Sequence, residues 1–177
     1  MRDISHAQRL LVGHGALVLL AAFVIGFGFL FYLIGEIRLW PFPGSIQYQM
    51  PGTYDAWRMA HMEGIITGFV LWITASIIPI LRLTEKTARR VALAMITTAW
   101  TFTVASTMDP LFENSRGIVI KEDMPLTNFI AFNLFVVGIL AVTWVMILTI
   151  KRCLFDKDEQ TSTATEPQRA SAQTTAY

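Results

Sequence analysis

Four long apolar runs constrain this chain more than any other feature. They lie at about residues 10–35, 57–81, 91–108 and 126–150. At about 1.5 Å of rise per residue, helices of this size can cross a hydrocarbon core of about 30 Å. The expected fold is therefore all-α, an integral membrane four-helix bundle. Composition agrees, with 54% of residues hydrophobic and 15% charged, which is the membrane class. The first run is too long for the apolar core of a signal peptide. No clear small-residue cleavage site follows it, so it reads as a retained helix.

Between the runs the chain changes character. Residues 36–56 hold Pro41, Pro43, Gly44, Pro51 and Gly52, a density that marks a loop. Trp40, Tyr48 and Tyr54 fit a segment in the interfacial aromatic belt, and the loop is long enough to fold back over the bundle as a lid. Asp109-Pro110 is expected to end the third run, and Asn114-Ser115-Arg116-Gly117 to make a turn before the fourth. Residues 156–177 are rich in Thr, Ala, Gln, Ser and Glu and are expected to be a disordered cytoplasmic tail.

A net charge of +1 gives no reason to expect a nucleic-acid partner. One cysteine, Cys153, excludes an intrachain disulfide and a cysteine-rich metal site. No phosphate-binding glycine loop and no HExxH zinc pair is present.

The richest stretch is Trp57-Arg58-Met59-Ala60-His61-Met62-Glu63-Gly64-Ile65-Ile66-Thr67-Gly68. Ionisable groups are costly in hydrocarbon, so His61 is the leading ligand or catalyst candidate. Gly64 and Gly68 fall near its helical face. They either admit a flat group close to the backbone or let helices pack closely. Glu63 points to a different face and either sits in the interface or pairs with Arg58. His6 precedes the first span. His14, between Gly13 and Gly15, lies near the opposite end of the membrane from His61, on the order of 20–25 Å away in depth. Two histidines so placed cannot ligate both faces of one haem within one chain. A haem held by a single histidine would keep an open position, which means substrate chemistry.

The ordered set Gly13-His14-Gly15, Gly26-x-Gly28, Pro43-Gly44, Pro51-Gly52, the 57–68 stretch, Trp100 and Asn114-x-Arg116-Gly117-Ile118 resembles the styrene-oxide isomerase family over roughly residues 9–155. The resemblance implies a homotrimer in the lipid bilayer with haem b at subunit interfaces and His61 as the axial ligand of ferric iron. Trp57, Arg58, Gly64 and Gly68 become candidate cofactor contacts. It implies isomerisation of a small hydrophobic epoxide to an aldehyde by Lewis-acid ring opening and a 1,2-hydride shift. The family pattern has asparagine and tyrosine where this chain has Thr67 and Ser106, the candidate catalytic positions. Both replacements are shorter and lose reach. Asn128, Asn133 and Tyr54 are the other polar candidates to make up the lost reach. A haem-binding sensor or ligand carrier, and a haem-free subunit of a membrane complex, are the rival readings.

Lysine and arginine are unevenly placed. Of the 14, only Arg38, Arg58, Arg116 and Lys121 fall on the side of the first and third connections. The rest share a side with both termini and residues 82–90. The positive-inside rule then places both termini in the cytoplasm of a bacterial-type inner or plasma membrane. A reporter fused after Tyr177 should therefore behave as cytoplasmic, and an external signal would reverse the assignment.

Overall fold

Each apolar run becomes a helix, and three of the four begin at a side-chain cap. The computed structural model describes residues 5–39, 41–120 and 123–155, so the tail expected over 156–177 lies outside the described residues. Helix α1 (His6–Ile34) opens with a capping box. The Ser5 hydroxyl accepts from the Gln8 N–H, and the Gln8 side chain accepts from the Ser5 N–H at 3.1 Å. Helix α2 (Tyr54–Ile77) is capped by Thr53 and carries Asp55 in its first turn. Helix α3 (Glu85–Leu111) is capped by Thr84, with Glu85 in its first turn. Both acids suit the positive end of a helix dipole. Helix α4 (Leu126–Ile150) starts after Pro125 and continues into a wider π turn, Lys151–Phe155. All four helices are long and apolar enough to cross a membrane. The protein is an all-helical membrane protein.

The helices do not form a square bundle. Helices α1, α2 and α3 pack mutually, whereas α4 packs closely on α3 alone. Helix α3 is the hub, with 50% of its apolar window buried against 17% for α1 and for α4. The buried stripe of α1 is Ala7, Leu11, Gly15, Val18, Ala22 and Ile25, spaced by threes and fours. That of α4 is Asn128, Ala131, Gly138 and Val145, spaced by three and then by sevens. Spacings of this kind keep one seam of a helix on its neighbour. The remaining faces of α1 and α4 are apolar and exposed, as lipid-facing surfaces must be.

Glycines set the separations. A Cβ on Gly64 would lie 2.9 Å from Ala22 Cβ, one on Gly68 would lie 2.7 Å from Leu19 Cγ, and one on Gly15 would lie 2.5 Å from the Trp72 ring. On the other seam, Gly138 faces Phe102 and Thr101, and the Thr98 hydroxyl donates to the Gly138 carbonyl at 3.1 Å. Small residues thus replace the hydrophobic driving force that membrane helices lack.

Three features differ from the sequence expectation. Helix α3 does not stop at Asp109-Pro110 but runs through Pro110 to Leu111. Proline inside the last turn forfeits only its bond to Ser106, a modest loss at a helix end. The second span ends as α2 at Ile77 rather than at Leu81, because Pro79 cannot donate and Arg82 takes a left-handed φ of 46°. The connection after α1 is not wholly irregular. Strands β1 (Glu36–Ile37) and β2 (Ile46–Gln47) pair antiparallel, Glu36 with Gln47 and Ile37 with Ile46. The chain then returns over the bundle, where Gly52 at φ 92° meets the end of α3 so closely that a Cβ would lie 2.5 Å from the Pro110 carbonyl oxygen.

Filling the α1–α2 contact should be costly. Gly64→Val is expected to destabilise by about 1–3 kcal/mol through overpacking, read as a lower Tm in detergent. An unchanged Tm would mean that the two helices have slack.

Candidate active site

His61 lies on α2 where α1 offers it a slot. Gly26 leaves the space: a Cβ there would sit 2.7 Å from the imidazole Cε1. The ring's Nδ1 is 2.9 Å from the Ala22 carbonyl oxygen. A carbonyl only accepts, so Nδ1 carries the hydrogen and donates. In the neutral ring Nε2 then holds the lone pair. Nε2 has no hydrogen-bond partner among the described residues, and none of their buried side-chain nitrogens or oxygens lacks one. Nε2 therefore reaches the protomer surface at membrane depth. This is how a metal-ligating histidine is normally prepared, one nitrogen fixed on a carbonyl and the other free.

His14 is wired the other way. Its Nδ1 accepts from the Trp100 indole N–H at 3.2 Å, so the neutral ring bears its hydrogen on Nε2 and its lone pair is engaged. The depth between the two rings is smaller than expected from the sequence. His61 meets α1 at Ala22 and Gly26, about ten residues from His14, or about 15 Å rather than 20–25 Å, because α2 begins with Tyr54 beside Phe29, short of the end of α1. That still separates them too far to share one porphyrin.

The other expected site residues divide sharply. Gly64 and Gly68 face Ala22 and Leu19 of α1, so of the two readings open for them, close packing is the one their surroundings fit. Trp57 is buried, lies edge-on to Gly28 and donates its indole N–H to the Pro51 carbonyl at 2.8 Å. It anchors the returning loop. Arg58 does not pair with Glu63. Its guanidinium is 3.4 Å from Asp55, both side chains being largely exposed, and 5.9 Å from the Tyr54 ring centre. An exposed pair of that kind contributes little to stability. Asp55, Arg58, Met59, Met62 and Arg116 border a cleft of about 640 Å³.

Thr67 and Ser106 are brought close together, and the link is Thr103, which the sequence offered only as one of many hydroxyls in its span. Thr67 donates to its own helix at the Glu63 carbonyl, 2.8 Å, and its oxygen lies 3.2 Å from the Thr103 hydroxyl. Ser106 donates to the Thr103 carbonyl at 3.2 Å. Thr103 also lines an apolar groove of about 440 Å³ between α1 and α3, with Ile25, Trp100, Thr107 and Met108. Thr67 and Ser106 sit directly behind that wall. The groove uses Ala21, Val24 and Ile25 of α1, a different face from Ala22 and Gly26, which meet His61.

Asn128 and Asn133 are not near this site's hydroxyls. Buried Asn128 accepts from the Gly117 N–H at 2.8 Å and donates to the Val119 carbonyl at 2.9 Å, pinning the α3–α4 connection. Asn133 donates to its own helix at Phe129. Tyr54 stacks edge-on with Phe29, ring centres 5.4 Å apart.

Comparison with known proteins places these features. A family model of styrene oxide isomerase matches residues 7–154. A styrene-oxide isomerase of Pseudomonas fluorescens is 26% identical over 94 residues, covering 52% of this chain and 54% of that protein. The match thus spans about half the length of the curated relative.

The anchoring role of Trp57 can be isolated. Trp57→Phe keeps an aromatic ring against Gly28 but removes the N–H, so stability should fall by about 1 kcal/mol. Amide exchange across 36–53 should quicken while α3 and α4 stay protected. Unchanged exchange in the loop would remove Trp57 as its anchor.

Proposed function

The chain belongs to the styrene oxide isomerase family, and on that premise we propose that it is a membrane isomerase converting a small apolar epoxide to an aldehyde with haem b held by His61. The observation that carries the reading is the opposite wiring of the two intramembrane histidines. The Ala22 carbonyl fixes His61 so that Nε2 presents its lone pair outward, whereas the His14 lone pair is taken by Trp100. Haem fits His61 in donor chemistry, and the slot at Gly26 keeps the ring's orientation rigid. When bound at His61, ferric haem would supply a Lewis acid. Arg58, one helical turn from His61 toward the loop end, would supply positive charge to the carboxylates of a bound haem.

The chain's own part is to orient, to enclose and to stay dry. The α1–α3 groove offers an apolar wall with the Thr103 hydroxyl set into it. The His61 face and this groove are on different sides of α1, which suits a head-to-tail assembly in which one protomer's histidine meets the groove of the next copy. A head-to-tail contact whose rotation closes makes a ring, and the family resemblance makes that ring a trimer. In the rearrangement a hydrogen moves with its electron pair between neighbouring carbons of the substrate. It requires neither a base nor a water from the protein, and a water-free groove prevents diol formation. Thr67 and Ser106 act through Thr103, setting the shape and polarity of the groove wall.

A second reading has its own observation. The hydroxyl hydrogens of Thr67 and Ser106 are both committed to backbone carbonyls, where the family pattern has longer polar groups. That arrangement suits a haem protein that carries a ligand without turning it over.

Spectrum and product separate the readings. The purified protein should show a Soret band that His61→Ala removes and His14→Ala leaves. Gly26→Val, which pushes into the imidazole, should lower haem affinity about 10–100-fold. A haem-free spectrum ends the proposal. A styrene-type epoxide with two deuteriums on its terminal carbon should give an aldehyde keeping both, one on each carbon. A Soret band without aldehyde would leave the carrier reading, and a diol product would rule out the hydride shift.

A further inference from the structure

The connection between α1 and α2 contains a device that the proposed reaction does not use. Helix α1 ends at Ile34, and Gly35, at φ 72°, turns the chain with its N–H on the Phe31 carbonyl. The β1–β2 hairpin follows at once. Successive residues of a strand point to opposite faces, and here the two faces differ in kind. Glu36, Arg38, Ser45 and Gln47 share one. The Gln47 amide donates to Glu36 at 2.7 Å and to the Ser45 hydroxyl at 3.4 Å, and Arg38 lies 2.8 Å from the Glu36 carboxylate. The Ser45 hydroxyl first, then Gln47 and Arg38, hold the Glu36 carboxyl below its usual range. That face is polar, charged and internally bonded.

The other face is apolar. It carries the cross-strand pair Ile37 and Ile46, with Leu39 and Tyr48 one step further along. Phe42 stands at the tip. Leu39, Phe42 and Ile46 are 60%, 72% and 65% exposed. A two-stranded hairpin is marginal in water by itself, and a contiguous apolar patch on so small an element marks a contact surface.

We propose that this hairpin is an interfacial anchor, lying on the bilayer with Leu39, Phe42, Ile46 and Tyr48 turned into the lipid. Continuity names the lipid as the occupant. The last exposed side chains of α1, Leu30, Leu33 and Ile34, are apolar, and only Gly35 separates that span from the hairpin, which keeps the hairpin's apolar residues beside the end of a helix long and apolar enough to cross a membrane. Its depth is bounded from both sides. The outer edges of a two-stranded ladder keep unpaired N–H and C=O groups, which cannot enter hydrocarbon. Tyr48, with an apolar ring and a polar tip, is suited to the headgroup level. The hairpin therefore settles among headgroups and upper acyl chains, polar face to water. This holds whether or not the chain is an isomerase.

The single cysteine, exposed Cys153, makes the test simple. In a Cys153→Ser background of the full-length protein, nitroxide labels are placed at Phe42→Cys and Ile46→Cys on the apolar face and Ser45→Cys on the polar face. The protein is reconstituted in vesicles of phosphatidylcholine with phosphatidylglycerol. Power-saturation resonance then compares collisions with oxygen, which concentrates in lipid, and with a nickel chelate, which stays in water. Labels at 42 and 46 should show an oxygen-to-nickel ratio several-fold above that at 45. A water-like ratio at 42 and 46 overturns the proposal. Shielding of both from both reagents also overturns it, because the face is then covered by protein, as a lid or by a second copy.

Discussion

The site depends on how closely α1 approaches α2. Lipid chains are as apolar as leucine, so two membrane helices gain nothing from hiding apolar surface from water and associate through close packing and hydrogen bonds. Gly15, Gly64 and Gly68 remove the side chains that would hold the backbones apart. Only then does the imidazole of His61 come within hydrogen-bond reach of a backbone carbonyl on the facing helix. A backbone carbonyl is a fixed partner that no rotamer change can withdraw. The tautomer of His61, and with it the direction of its lone pair, therefore follows from helix packing rather than from a flexible second side chain.

The same economy of polar groups explains the third helix. Hydroxyl-bearing residues are abundant there, and in hydrocarbon each hydrogen needs an acceptor. Most find one in their own helix, as Thr101, Ser106 and Thr107 do at carbonyls three or four residues back, while Thr98 is shared between its own helix and the Gly138 carbonyl of α4. Thr103 is the one that turns across to α2, meeting Thr67. It thereby joins the two candidate positions Thr67 and Ser106 and places that junction on a groove wall.

Much of this was legible in the sequence. Four spans and their order follow from apolar length, and His61 stands out as a candidate from the cost of placing an ionisable group in hydrocarbon. What the sequence withheld was partnership. Gly26 stands out as a glycine, but only the fold shows that it faces His61. His14 and His61 look alike in a string of letters and are distinguished by an indole and a carbonyl far away in sequence. The Glu63–Arg58 pairing considered from proximity did not form, since Asp55 lies one turn from Arg58 and nearer water. Pro110 looked like a stop because proline usually is one, yet in the last turn of a helix it removes only one bond. The β1–β2 hairpin was hidden by the prolines around it, although Glu36-Ile37-Arg38-Leu39 and Ser45-Ile46-Gln47-Tyr48 both alternate polar with apolar.

The lopsided arrangement of the helices has a consequence for synthesis. The first three helices pack on one another, and α4 rests on α3 by a single seam. Chains emerge from the ribosome N-terminus first, and neither the histidine slot between α1 and α2 nor the wall supplied by α3 takes a residue from α4. The last helix docks onto a finished surface instead of having to be threaded into a core, and nothing in the histidine site has to reopen to receive it.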